Sequence, residues 1–151
     1  SIKENIRMGN PCATDEEVLA AAKAARCDEF IRKMEYGYDT LVGDAGGKLS
    51  GGERQRITIA RAILKPADVV ILDEASAYAD PENEVYIEEA INELVKDKTL
   101  IVVAHRLETI ENSDKIVVVD QGKIVAEGTQ SELLKNCALE RDNINFRAEK
   151  R

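Results

Sequence analysis

Cysteine is scarce and scattered in this sequence. Cys12, Cys27 and Cys137 are odd in number and form no C-x-x-C pair, which suggests neither a disulfide framework nor a zinc site. Free thiols are the expectation. Long apolar runs are missing as well. No stretch approaches the roughly 18 residues of a membrane span, and no signal-peptide pattern is visible, so any membrane role has to come through a partner or a missing segment. Basic charge is in deficit. With 21 Lys and Arg against 29 Asp and Glu, the net charge is −8, which argues against general nucleic-acid binding, since that needs a basic face. The acidic balance fits a soluble cytosolic domain. Histidine occurs once, at His105.

What remains is a chain of 151 residues, 44% hydrophobic, long enough for one domain with a real core. It is organised around Leu49-Ser50-Gly51-Gly52-Glu53-Arg54-Gln55-Arg56. Ser50 is a good N-cap, and two glycines let a ligand approach the backbone closely. They open a run over 57–64 in which Ile57, Ala60, Ile63 and Leu64 recur at helical spacing. A helix start gathers unpaired N–H groups and about half a positive charge, which suits an anion such as phosphate. Downstream, Val69-Val70-Ile71-Leu72-Asp73-Glu74 reads as a buried parallel strand delivering two carboxylates at its carboxyl end, where open α/β sheets place their ligands. Taken singly, the first motif could be an ordinary helix cap and the second a strand meeting solvent.

Elsewhere, Thr14 with Glu17 forms a capping box for a helix to about Cys27, with Val18, Leu19, Ala22 and Ala25 as its apolar stripe. A second short helix is expected over 28–34, burying Phe30 and Ile31, and a glycine-rich loop over 36–48. Lys65-Pro66 ends the helix that follows Ser50. Pro81 suits the first turn of another, whose stripe is Ile87, Ile91, Leu94 and Val95. Glu82, Glu84, Glu88 and Glu89 read as its solvated face rather than a metal site. Residues 99–104 form a second buried strand, with His105 just past it. Strands over 115–120 and 123–127 flank a Gln121-Gly122 hairpin turn, and a short helix covers 131–135. The polar stretch 137–151 reads as a frayed helix or a disordered tail.

In this order and spacing, LSGGERQR, VVILDE and the single histidine closing the second strand resemble the ATP-binding cassette (ABC) family of ATPases. LSGGERQR looks like the family's signature motif, VVILDE like its Walker B strand, 76–80 like its D-loop and His105 like its switch histidine. Ser1-Ile2-Lys3-Glu4-Asn5-Ile6 is similar to the run that follows the Q-loop in exporter-type domains. Thr40-Leu41-Val42-Gly43-Asp44-Ala45-Gly46 is similar to their x-loop, T-E-V-G-E-x-G, with Leu41 in place of the first glutamate and Asp44 in place of the second.

The resemblance implies an α/β fold: a P-loop NTPase-like parallel sheet flanked by helices, with a helical signature subdomain, forming an incomplete ABC ATPase domain. Its division would be 1–65, the helical subdomain with x-loop and signature motif; 66–136, the carboxyl-terminal part of the RecA-like core; and 137–151, the tail. It also implies ATP and Mg²⁺ as ligands. Asp73 would hold Mg²⁺ through water, a role that ion permits because it keeps part of its hydration shell. Glu74 would be the general base and His105 the hydrogen-bond partner of the γ-phosphate. Ser50, Gly51, Gly52 and Glu53 would reach across a head-to-tail dimer to ATP held by a second nucleotide-binding domain, and Asp80 would link the two sites. There Tyr78-Ala79 replaces the commoner leucine-containing form.

One departure is serious. No G-x-x-x-x-G-K-S/T loop occurs in the 151 residues, and no Q-loop glutamine or aromatic platform for adenine can be placed. The expectation is an upstream half that supplies the phosphate cradle, and a chain that alone binds ATP poorly and does not turn it over. The implied function is ATP hydrolysis coupled to transport of a substrate that these residues do not reveal, at the cytoplasmic face of a membrane, with transmembrane domains as partners and no nucleic acid. The alternatives are half of a DNA-repair or chromosome-maintenance ATPase with a similar signature, or a non-catalytic fragment. A Ser-His-Asp hydrolase is set aside because Ser50 lacks the G-x-S-x-G elbow.

Overall fold

The structure is a computed structural model and describes residues 1–43, 46–73, 81–103 and 113–137. Two compact units divide the chain, Ser1–Val103 and Ala104–Arg151. The first contains helices α1 (Ile2–Arg7), α2 (Asp15–Ala24), α3 (Asp28–Ile31) and α4 (Gly51–Leu64), strand β1 (Val69–Asp73), helix α5 (Pro81–Leu94) and strand β2 (Thr99–Val103). In the second, strands β3 (Ile116–Asp120) and β4 (Lys123–Gly128) precede helix α6 (Gln130–Cys137).

Local chemistry sets the ends of these elements. Thr14 caps α2 by the predicted box: its hydroxyl accepts from the Glu17 N–H at 3.2 Å, and the Glu17 carboxylate accepts from the Thr14 N–H at 2.7 Å. The helix stops sooner than the apolar pattern suggests. Arg26 turns left-handed, with φ 55°. Around it the Cys27 N–H donates to the Ala22 carbonyl and the Arg26 N–H to the Lys23 carbonyl, the paired bonds of a Schellman end. Ala21 is buried in the α2 stripe, whereas Leu19 is 41% exposed, since Val18, Ala21, Ala22 and Ala25 sit three and four apart on one face. Likewise α3 is a single turn shorter than 28–34, though Phe30 and Ile31 are buried as expected.

At the end of α4, Lys65 is extended, with ψ 127°, because it precedes a proline. Helix α5 starts at Pro81 and buries Ile87, Ala90 and Leu94, while Glu84, Glu88 and Glu89 face solvent. These helices form one core around Ile2, Ile6, Val18, Ile31, Ile57 and Ile87.

Strands β1 and β2 pair in parallel, with Ile71 opposite Ile101 and Asp73 opposite Val103, joined through α5 as a βαβ unit. The expectation that both would be buried is not met. On one face Val70 packs against the helical core. On the other, Val69, Ile71, Ile101 and Val103 are all 45% or more exposed. Two parallel strands have two faces to cover, and the described residues of this unit cover only one.

In the second unit, β3 and β4 form an antiparallel hairpin with Asp120 opposite Lys123. Gln121 and Gly122 both have positive φ, 46° and 74°, the type I′ geometry that matches strand twist. Helix α6 begins one residue earlier than expected on a further capping box. The Thr129 N–H donates to the Glu132 carboxylate at 2.8 Å and the Glu132 N–H to the Thr129 hydroxyl at 3.3 Å.

Candidate functional site

The glycine-opened helix start folds as its residues require. Ser50 is extended, with φ −66° and ψ 166°. Its hydroxyl accepts from the Glu53 N–H at 3.2 Å, while its own N–H donates to the Glu53 carboxylate at 2.7 Å. This box occupies two of the first-turn donors. The N–H groups of Gly51 and Gly52 have no acceptor within the helix, because no preceding turn exists to supply one. Ser50 and Gly51 are exposed and Gly52 is buried. A hydroxyl and a backbone N–H at the surface of a helix N-terminus can together receive an anion.

Arginines anchor this helix on its surroundings. Arg54 donates to the Leu49 carbonyl at 2.7 Å and to the Gly46 carbonyl at 3.5 Å, pinning the preceding loop. Arg61 donates to the Asn5 carbonyl at 2.6 Å and to its amide oxygen at 2.7 Å. A groove of about 440 Å³ lies between that loop and α4, lined by Asn5, Val42, Leu49, Arg54, Thr58 and Arg61 among others. The first residues of α4 and Asp73 do not line it. The site is therefore argued from chemistry rather than from concavity.

Arg56 is 5% exposed, with its guanidinium carbon 5.0 Å from the centre of the Phe30 ring and 5.2 Å from that of Tyr86. The neighbouring Cys27 thiol is pushed up to about 12 by burial, against the opposing pull of the Arg56 charge. It is a protonated, inert core residue. The Tyr38 hydroxyl is raised above its ordinary value by burial and by donating to the Asp28 carboxylate at 3.0 Å. The Tyr38 bond ties the segment after α3 to the start of α3.

Asp73 ends β1 with its side chain exposed, level with Val103 across the strand pair. Among the described residues no three His, Cys, Asp or Glu side chains cluster to hold a metal. A lone exposed carboxylate suits a cation that keeps its water and binds through one or two carboxylates plus phosphate oxygens, as Mg²⁺ does. Glu74 directly follows Asp73, and His105 lies two residues past Val103. Both, with Asp80, Asp44 and Ala45, lie outside the described residues. The described candidates therefore fall in two places, Ser50–Glu53 at the start of α4 and Asp73 at the end of β1.

Two residues escaped the sequence reading. Arg56 falls four after Gly52, on the same face of α4 as the buried Ile59 and Ala60. A charged residue on an apolar face was the available signal. Asn83 sits in an acidic run and offered none.

Known proteins match this chain over most of its length. The family model for the ABC transporter matches residues 1–77. A multidrug export ATP-binding/permease protein of Staphylococcus aureus is 52% identical over 134 residues, which is 89% of this chain and 23% of that protein. ABC transporter B family member 1 of Dictyostelium discoideum is 48% identical over 136 residues, 90% of this chain and 15% of that one. Among solved structures, that of a bacterial Atm1-family ABC exporter with ATP bound superposes with a TM-score of 0.80 at 38% identity. It covers 97% of this chain and 26% of the exporter chain. The chain spans about a quarter or less of the length of each of these proteins, and nothing in the matches supports a DNA-repair role. The fold is that of part of an ABC ATPase domain, and the chain belongs to the ABC transporter family.

Proposed function

We propose that this chain is part of the ATP-binding and ATP-hydrolysing domain of an exporter-type ABC transporter, where hydrolysis drives transport of a substrate across a membrane. Residues 1–65 serve as the helical signature subdomain and 66–136 as part of the α/β core, with 137–151 as a tail. The working domain acts at the cytoplasmic face, joined to transmembrane domains and to a second nucleotide-binding domain.

The chemistry is divided between two nucleotides. Ser50 and the glycine N–H groups bind the terminal phosphate of ATP held by the partner domain, with Glu53 keeping Ser50 oriented through the capping box. In the chain's own site, Asp73 holds hydrated Mg²⁺. When bound, that ion shields the charge of the phosphates. Glu74 takes a proton from the attacking water, a role whose loss costs on the order of 10²–10⁴ in rate. His105 donates to the γ-phosphate and helps keep the water in line, and Asp80 joins the two sites. No phosphate-cradling loop is present in the 151 residues, so the P-loop comes from other residues and this chain alone does not turn ATP over.

The observation that carries this reading is one chain holding both the capped glycine start of α4 and, at the carboxyl end of a parallel strand, a solvent-facing carboxylate. The test is Mg-ATP hydrolysis by the chain alone and then mixed with a polypeptide bearing the P-loop. Silence alone, and activity on mixing that Glu74→Gln abolishes, is the expected pattern. Glu74-dependent hydrolysis by the chain alone would sink it.

A further inference from the structure

Arg56 of α4 is held by three other helices at once, α2, α3 and α5. Its Nη2 donates to Asn83 Oδ1 at 3.0 Å and its Nη1 to the Arg26 carbonyl at 3.3 Å, while Phe30 of α3 and Tyr86 of α5 present their rings to it. Arg26 is the left-handed residue at the end of α2. Both bonded acceptors are neutral, and Arg56 Nε has no hydrogen-bond partner among the described residues. A buried cation compensated in this way is costly beside an apolar side chain of similar size. Stability is therefore a poor reason for an arginine here, and position is a better one.

The position it controls is specific. Asn83, which accepts from Arg56, also fills the space beyond the Gly52 Cα: a Cβ at residue 52 would lie 2.6 Å from Asn83 Cγ. Gly52 is in the first turn of α4 and Asn83 in the first turn of α5. The Arg56–Asn83 hydrogen bond and the seating of Asn83 over Gly52 thus join the amino-terminal halves of the two helices, and α5 begins immediately after Asp80 in the sequence.

We infer that Arg56 and Asn83 are positioning residues that lock the start of α4 to the start of α5. Clamping of Ser50–Gly52 on the partner's ATP is then passed to the helix that leads out of the chain's own site. The inference rests on the reading of Ser50–Gly52 given above.

The test uses the chain assembled with a polypeptide bearing the P-loop. Asn83→Leu keeps the size and removes the acceptor, Asn83→Asp keeps both, and Arg56→Met removes the donors. Asn83→Leu and Arg56→Met are each expected to lower kcat about tenfold with KM for ATP within about twofold. The double variant should lose no more than either single one, and Asn83→Asp should stay near wild type. Full kcat in Asn83→Leu, additive losses, or losses that follow the melting temperature across the series would overturn the lock. Amide hydrogen exchange at Glu53 and Arg54, whose N–H groups donate to the Ser50 hydroxyl and carbonyl, gives a readout in the chain alone that is independent of ATP. Asn83→Leu should speed it about tenfold and Asn83→Asp should not. If the wild-type assembly fails to hydrolyse ATP, the functional reading fails and the exchange rates decide the lock, which unchanged exchange refutes.

Discussion

Replacing Gly52 by alanine separates two arguments by sign. Helix propensity alone favours the change by about 1 kcal/mol. The packing opposes it. The new Cβ would stand 2.6 Å from Asn83 Cγ and 2.8 Å from both its Cβ and its Oδ1, where carbon contacts normally settle near 3.5–4.0 Å. Asn83 would have to retreat by roughly 1 Å, and its 3.0 Å bond from Arg56 would lengthen beyond hydrogen-bond range. Overpacking costs about 1–3 kcal/mol. A buried charged donor left unpaired costs about 1–3 kcal/mol more, on a guanidinium whose Nε already lacks a partner among the described residues. After subtracting the propensity gain, the expected loss is about 1–5 kcal/mol. Urea unfolding followed by helical circular dichroism measures it, with the slope checked for constancy. Adding Asn83→Gly removes the obstructing Cγ, Oδ1 and Cβ together, so the double variant should recover at least about 1 kcal/mol relative to the sum of the singles. A Gly52→Ala protein as stable as wild type, or more stable, would refute the reasoning.

The remaining predictions concern other parts of the chain. At Gly9 a Cβ would collide with the Arg61 carbonyl. Since backbone cannot swing aside as a side chain can, Gly9→Ala should lower stability by at least about 1–3 kcal/mol in the same urea assay. Near pH 8 a thiol reagent should label the exposed Cys12 readily and Cys27 only on unfolding, as read by peptide mass mapping. Burial raises the folded Cys27 value to about 12 above an unfolded value near 8.5–9. Its contribution to stability is therefore full below about pH 8.5 and is lost as pH rises toward 12, a decline that Cys27→Ala should remove. The Glu132 carboxylate is held below its ordinary range by accepting from the Thr129 N–H and hydroxyl. The cap it makes is present above the usual glutamate range and is lost as pH falls through the lowered value. Exchange of the Thr129 amide should accelerate relative to its neighbours only in that acid window, and Glu132→Gln should flatten the response.

Helix and turn chemistry was readable because it depends on neighbours in sequence. The boxes at Thr14 and Ser50, the proline start of α5 and the Gln121-Gly122 turn need only residues within a few positions. The places of Ser50 and Asp73 followed from residues local to each motif, whereas the fold class came from the family resemblance that the motifs carry together. What escaped was set by distant residues. Leu19 has the composition of a core residue but sits off the face that α2 presents, and α2 ends where Arg26 adopts a left-handed conformation that few would assign to arginine. The strands looked buried because apolar runs say nothing about which neighbours are present to cover them. Arg56 and Asn83 meet across 27 residues, a distance no periodicity reports.

The uncovered face of β1 and β2 makes folding and assembly a single equilibrium. Any polypeptide that shields Val69, Ile71, Ile101 and Val103 binds the folded chain and not the unfolded one, so it raises the unfolding free energy by mass action. At a hundred times its dissociation constant the gain is about 2.7 kcal/mol. The melting temperature of this chain is thus itself a titration signal, able to rank candidate companions before any of them is shown to restore catalysis.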